Sequence, residues 1–116
     1  MNYEEINYLV AEKVMGWKVV NKEYSSFNTG IGIGLPEQFE PSIETEDALR
    51  VFNKFVEWNC WIEVAYNPKN KTYRCLIGAN YATKELKNVD VSAKTFSLSI
   101  CLAALKAVGV DLEELE

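Results

Sequence analysis

The sequence predicts an α/β protein, a three-layer α-β-α sandwich with a small, mostly antiparallel sheet. The first observation is an alternation of helical and β-rich segments in the order α-β-loop-α-β-β-α. The second is the composition: 116 residues, 48% hydrophobic and 25% charged, are typical of one globular domain. We therefore expect a single α/β sandwich domain over residues 1–116.

The N-terminal third predicts a helix, a short strand and a long irregular segment. A helix over 3–15 is indicated by apolar residues spaced three and four apart, and Gly16 is expected to end it. These apolar residues are Ile6, Leu9, Val10 and Val14. A strand follows over 17–20, and residues 21–41 are rich in glycine and proline. Long loops of this kind are often functional.

The middle of the chain predicts a helix and a hairpin. The helix runs over 43–58, with Ser42 as its N-cap and acidic residues in its first turn. Residues 60–66 and 72–78 are β-rich, and the Asn-Pro-Lys-Asn-Lys segment between them favours a turn.

The C-terminal third predicts a polar loop and a buried helix. Residues 80–91 are expected to form the loop. The helix over 93–108 is expected to be capped by Ser92 and ended by Gly109. Its residues are apolar almost all round, which indicates burial on most sides.

The charge balance excludes some partners. The chain carries 12 basic and 17 acidic residues, a net charge of −5. Binding to duplex phosphates needs concentrated Lys and Arg, so duplex nucleic acid and anionic membranes are not expected as partners. Nor does any apolar run approach the ~20 residues that span a bilayer.

Histidine and cysteine usage argue against catalysis. There is no histidine, which removes the commonest general base and the usual nucleophile pairs. Cys60, Cys75 and Cys101 fit neither a disulfide framework nor a paired metal motif, and we expect buried free thiols in a reducing cytosol. No carboxylate pair or EF-hand spacing stands out. We therefore expect no enzyme activity, no metal and no cofactor.

Two segments carry a resemblance to a known family. They are residues 10–17, Val-Ala-Glu-Lys-Val-Met-Gly-Trp, and residues 100–110, Ile-Cys-Leu-Ala-Ala-Leu-Lys-Ala-Val-Gly-Val. Together they resemble the phage ABA sandwich domain family, small proteins of phages and prophages of Gram-positive bacteria. The central part, with Trp58 and Trp61 after a helix, is compatible in order and length. The resemblance implies a sheet layered between helices in a phage-encoded protein of the host cytoplasm, and it brings no catalytic motif.

The resemblance also suggests a function by genome context. Small phage proteins often oppose bacterial defence, some by sequestering nucleotide signals as oligomeric sponges. The resulting hypothesis is a non-enzymatic protein that binds and sequesters a small, anionic, nucleotide-derived immune signal. The alternative is a protein that inhibits a host protein through an exposed surface, and an enzyme comes third. Because a small sheet leaves exposed strand edges, we also expect a homo-oligomer.

A glycine-rich segment is the first candidate for ligand binding. Residues 29–34 read Thr-Gly-Ile-Gly-Ile-Gly, and such glycines let backbone N–H groups approach a phosphate. The pattern is neither a Walker loop nor G-x-G-x-x-G. The alternative is a strand or flap whose glycines allow a bulge or tight packing.

Aromatic and basic side chains would complete a nucleotide site. Phe27, Tyr24 and Tyr81 lie in polar segments and are candidates for exposed stacking on a base, although most aromatics in such a domain belong to the core. Arg74 can grip phosphate, or pair with Glu63 across the hairpin. The Lys94-Thr95 pair can bind an anion at a helix start, or simply cap that helix. The predicted ligand-binding residues are Phe27, Asn28, Thr29, Gly30, Gly32, Gly34, Arg74, Tyr81, Lys84, Lys94 and Thr95.

Overall fold

A computed structural model describes residues 2–23, 25–28 and 36–115 of the chain. The α-helices are α1 (Tyr3–Leu9), α2 (Thr45–Glu57) and α3 (Phe96–Ala107). The strands are β1 (Lys18–Asn21), β2 (Ser26–Asn28), β3 (Glu37–Gln38), β4 (Trp61–Asn67), β5 (Thr72–Gly78) and β6 (Val89–Ala93). Helix α1 continues as a π-helical segment over Val10–Met15, and Leu112–Leu115 form a 3-10 helix.

The predicted α/β sandwich with antiparallel pairing is confirmed. The described strands form two three-stranded antiparallel sheets: a small sheet in the order β1-β2-β3 and a main sheet in the order β4-β5-β6. The sequence predicted three strands, and the described residues form six. Strands β2 and β3 are only three and two residues long, too short for a sequence pattern to show them.

Strand β6 corrects the predicted loop over 80–91 and the predicted start of the last helix. Val89 and Val91 are buried and alternate with the exposed Asp90 and Ser92, which is the period of a half-buried strand. Ser92 therefore lies in the sheet and does not cap a helix. Helix α3 is capped by Thr95, whose Oγ1 accepts a hydrogen bond from the backbone N–H of Leu98 at 3.1 Å.

The start of α2 also differs from the prediction, because Ser42 has another partner. Its backbone N–H and its hydroxyl both donate to Oδ1 of Asn7, at 3.0 and 2.7 Å. The Asn7 amide nitrogen donates in turn to Oγ of Ser25 at 3.3 Å. All three residues are buried, so Asn7 links α1 to the residue before β2 and to the segment that follows β3.

Helix α3 forms the centre of the core. Ten of its twelve residues are buried, as its all-round apolar sequence predicted. It lies over β5 and β6, while α2 packs beside it and against β4. In the part of the chain that the structure describes, no helix is long and apolar enough to cross a membrane.

The main sheet has one covered and one open face. Cys75 and Ile77 of β5 are buried toward the helices. Glu63, Arg74 and Asp90 belong to the other face and are exposed. This open face and the two ends of the sheet therefore position five of the seven predicted ligand-binding residues that the structure describes: Arg74, Tyr81, Lys84, Lys94 and Thr95.

Candidate functional site

A basic and aromatic cluster lies where α2 ends and β4 begins. We call Lys54, Trp58, Tyr81 and Lys84 the Trp58 cluster. The Lys84 Nζ lies 4.1 Å from the centroid of the Trp58 ring, and the Lys54 Nζ lies 5.7 Å from it. Two ammonium groups thus border one half-buried indole, at distances typical of cation–π contacts.

The backbone explains why these residues meet. Helix α2 ends at Trp58, and Asn59 adopts a left-handed conformation with φ of 61°, which turns the chain into β4. The segment after β5 then returns to this corner. The backbone N–H of Thr83 donates to the Trp58 carbonyl at 2.8 Å, and the Asn59 side chain donates to the Tyr81 carbonyl at 3.0 Å.

The cluster can make two kinds of contact with an anionic aromatic ligand: aromatic stacking and a charged hydrogen bond. Tyr81 is 83% exposed, so its ring is available for stacking. Within the described residues, Lys84 has no carboxylate within 4.0 Å, whereas Lys54 has Glu57 at 3.7 Å. The Lys84 ammonium can therefore donate to a phosphate while it keeps its contact with the indole.

The structure brings together only part of the predicted site. Tyr81 and Lys84 lie at the Gly78 end of the main sheet. Lys94 and Thr95 follow β6, whose last residue is opposite Tyr73. Gly78 lies five positions along β5 from Tyr73, which is about 17 Å of strand. A single small ligand does not reach both groups.

The prediction that Phe27 is an exposed stacking residue is wrong. It is 1% exposed, and its ring packs against Phe39 with centroids 6.2 Å apart. Phe27 lies on β2, whose alternation directs it into the core and leaves Asn28 exposed. The predicted Tyr24, Thr29, Gly30, Gly32 and Gly34 lie outside the described residues.

Arg74 is engaged by a partner that the sequence did not indicate. Its Nε and Nη2 donate to the two carboxylate oxygens of Asp90, at 2.8 and 2.6 Å. The prediction of Glu63 as the partner is wrong, because Asp90 belongs to the unpredicted strand β6. A phosphate could take the Nε–Nη2 edge of the guanidinium only by displacing this carboxylate, so the geometry gives Arg74 a structural contact with Asp90.

This ion pair has a testable pH dependence. Hydrogen bonding from Arg74 lowers the pKa of Asp90. The contribution of the pair to stability is therefore present above the unfolded pKa of about 3.9 and is lost as the pH falls through the lower folded pKa. We expect Asp90→Asn to lower the stability at pH 7 slightly, since the pair is exposed, and to reduce the loss of stability below about pH 4 by the same small amount. Urea unfolding between pH 2.5 and 7 measures this. An equal effect of Glu63→Gln, on the same face, would contradict it.

For Lys94 and Thr95 the structure favours a capped helix start over an anion site. The Thr95 hydroxyl is used as the cap of α3. Lys94 is exposed beside a 320 Å³ groove lined by Tyr3, Ser92, Ala93, Leu98 and Leu102. This groove is mainly apolar and does not suit a phosphate.

The thiols and carboxylates form no reactive group in the described chain. All three cysteines are free, with Cys75 and Cys101 buried as predicted and Cys60 half-buried. Burial raises the pKa of the Cys75 thiol to about 12 and also raises the pKa of Cys60 and Cys101. Thiolates are therefore scarce near neutral pH. Among these residues, no three Cys, Asp or Glu side chains are grouped to hold a metal ion.

Comparison with known proteins identifies the family. The profile of the phage ABA sandwich domain matches residues 8–105. The chain belongs to the phage ABA sandwich domain family. A solved structure agrees with the ABA sandwich fold: a crystal structure of a phage protein from Bacillus cereus ATCC 14579 has a TM-score of 0.73. The two sequences are 22% identical, and the similarity covers 97% of this chain and 92% of that chain. The curated proteins contain no match.

Sequence reasoning selected neither Trp58 nor Trp61 of this ABA sandwich domain as a candidate site residue. Trp58 packs against Phe55, with ring centroids 5.0 Å apart, and also contacts two lysines, while Trp61 is 70% exposed. For Trp61 a signal was available, because the alternation of β4 places it on the same face as Glu63. For Trp58 there was none, because Lys84 comes to it from a distant part of the chain.

Proposed function

We propose that this phage protein acts by binding, without catalysis, and that its ligand is a small nucleotide-derived signal of bacterial defence. Sequestering the signal in the host cytoplasm would prevent the host from responding to infection. The observation that supports this is the Trp58 cluster, where two lysines border the Trp58 ring and Asn59 holds the backbone carbonyl of the exposed Tyr81 at the same corner.

The cluster matches the chemistry of a nucleotide. A base needs a flat face, which Tyr81 provides, and each stack contributes about 1–3 kcal/mol. A phosphate needs a charged donor, which Lys84 provides in a protein whose net charge is −5. Neither residue is needed for the core, so both are available to a ligand.

The side-chain chemistry of the described residues supports sequestration over turnover. The chain has no histidine, and burial raises the pKa of its three thiols. A nucleotide bound at the cluster therefore meets donors and an aromatic face but no imidazole or thiolate, and the Glu57 carboxylate beside it is paired with Lys54 at 3.7 Å.

Substitutions in the cluster test the proposal. Calorimetry with a panel of cyclic mono-, di- and trinucleotides identifies the ligand. We expect Lys84→Ala to lose about 1.5–3 kcal/mol of binding, the value of a charged hydrogen bond, which is about 10- to 150-fold in affinity. Tyr81→Ala should have a similar effect through lost stacking. Chromatography after denaturation should return the nucleotide unchanged.

The matched control is Lys69→Ala, which removes an exposed lysine at the tip of the hairpin. It should leave affinity unchanged. If no nucleotide binds, or if both cluster variants bind within twofold of the parent, the proposed site is wrong. A new product formed with turnover would restore the enzyme interpretation.

One observation favours a second function, inhibition of a host protein. Trp61 is 70% exposed on the open face of the main sheet, and exposed tryptophans often anchor interfaces. Native mass spectrometry of the protein from an infected host separates the two functions. A retained small molecule favours the nucleotide site, and a retained host protein that is lost in Trp61→Ala favours inhibition.

A further inference from the structure

Strand β4 is an edge of the main sheet with an unpaired side. In the part of the chain that the structure describes, β4 pairs with β5 alone over all seven of its residues. Its other side presents unpaired backbone N–H and C=O groups along Trp61–Asn67. Such an edge is a template for another strand.

Helix α2, which packs against β4, carries a second apolar row. Ala48, Val51 and Phe55 face the core. Leu49, Phe52 and Val56, spaced by three and four residues, share a different face. Leu49 is 42% and Val56 53% exposed, which is unusual for apolar side chains in a regular row.

This row lies on the flank of α2 away from the small sheet. The small-sheet flank is marked by Asp47, which accepts a hydrogen bond from the Glu40 N–H at 2.8 Å, and by Arg50, which lies 4.8 Å from the Trp17 ring. Leu49 and Val56 are turned away from these contacts around the helix. Because α2 packs against β4, this row belongs to the helix that adjoins the edge strand.

We propose that a second copy of this chain docks on the β4 edge, with β4 pairing antiparallel to its counterpart and α2 packing on α2 across a twofold axis. The two sheets then join into one of six strands. This inference does not depend on the ligand proposed above, because the Trp58 cluster is not part of the interface argument.

The sequence of β4 is complementary to itself in one register. Centring the axis on Val64 pairs all seven residues and places Glu63 opposite Ala65 of the second copy. The half-buried Ile62 then meets the 52% exposed Tyr66, a favourable aromatic and β-branched pair. Centring it on Glu63 would place two carboxylates opposite each other, which is unfavourable. The edge therefore favours a second copy over an arbitrary strand.

Light scattering and sedimentation at micromolar concentration test the interface. The wild-type protein is expected at twice the 13.2 kDa mass of one chain. Val56→Glu should raise the dimer Kd at least about 100-fold, since each copy then brings a carboxylate into an apolar contact. The matched control is Val20→Glu, at a residue of 55% exposure on β1, which should remain dimeric.

A second pair of variants tests the register. Ala65→Lys places a lysine opposite Glu63 of the partner at two symmetric positions and should tighten the dimer, whereas Ala65→Glu should weaken it. Ala65 is exposed, so both variants should fold. A monomeric wild type, a dimer unaffected by Val56→Glu, or equal effects of the two Ala65 variants would overturn the proposal.

Discussion

Replacing Ala103 by glutamate is expected to unfold the protein. Ala103 is fully buried in α3, the helix that contacts the main sheet, α2 and the π-helical segment. The substitution both overfills a packed site and places a carboxylate where no partner exists. Burying an unpaired charge costs several kcal/mol, against a total stability of about 5–15 kcal/mol. Far-UV circular dichroism and urea unfolding of the purified variant measure the effect.

Two further variants keep this prediction testable if the glutamate variant does not accumulate. Ala103→Val adds volume without charge and should cost about 1–3 kcal/mol through overpacking. Lys106→Glu changes charge at the exposed position of the same helix and should cost less than about 1 kcal/mol. A glutamate variant as stable as the Lys106 variant would show that α3 is not the centre of the core.

Replacing Asn7 by alanine is expected to lower the free energy of unfolding by about 2–4 kcal/mol. Asn7 accepts two hydrogen bonds from Ser42 and donates one to Ser25, all in buried surroundings. The substitution leaves the Ser42 N–H buried without its acceptor, and each such unsatisfied group costs about 1–3 kcal/mol. Urea unfolding monitored by tryptophan fluorescence gives the change.

The control for Asn7 is the same substitution on an exposed helical position. Asn53→Ala lies on α2 and should be neutral or stabilising by up to about 0.7 kcal/mol, because alanine is the better helix former. Equal effects at the two positions would mean that the buried hydrogen bonds of Asn7 contribute nothing measurable.

The longest elements were the ones that the sequence predicted best. Apolar spacing located α2 and α3 to within a few residues, and turn residues located the β4–β5 hairpin, because these are local signals. Gly16 ends the first helical stretch in a left-handed conformation with φ of 75°, as its type predicted. Strand β6 was missed, since the five residues of Val89–Ala93 form a strand only where β5 is there to pair with them.

The candidate site was predicted in part, by residue type and not by position. Tyr81 and Lys84 were selected as a stacking and a donor residue, and the structure places both near Trp58. Phe27 and Arg74 were selected for the same reasons but are used elsewhere, one in the core and one by Asp90. The residue type alone does not show which contacts a side chain makes in the folded protein.

The sequence by itself determined the α/β class, the family and the free thiols, because periodicity, helix ends and composition depend on neighbours along the chain. Only the tertiary structure decided that Asn7 would bind Ser42, that Asp90 would hold Arg74, and that Lys84 would reach Trp58. These contacts join residues 35, 16 and 26 positions apart. Such contacts exist only after the helices have packed on the sheet, since packing brings together side chains that no local preference connects.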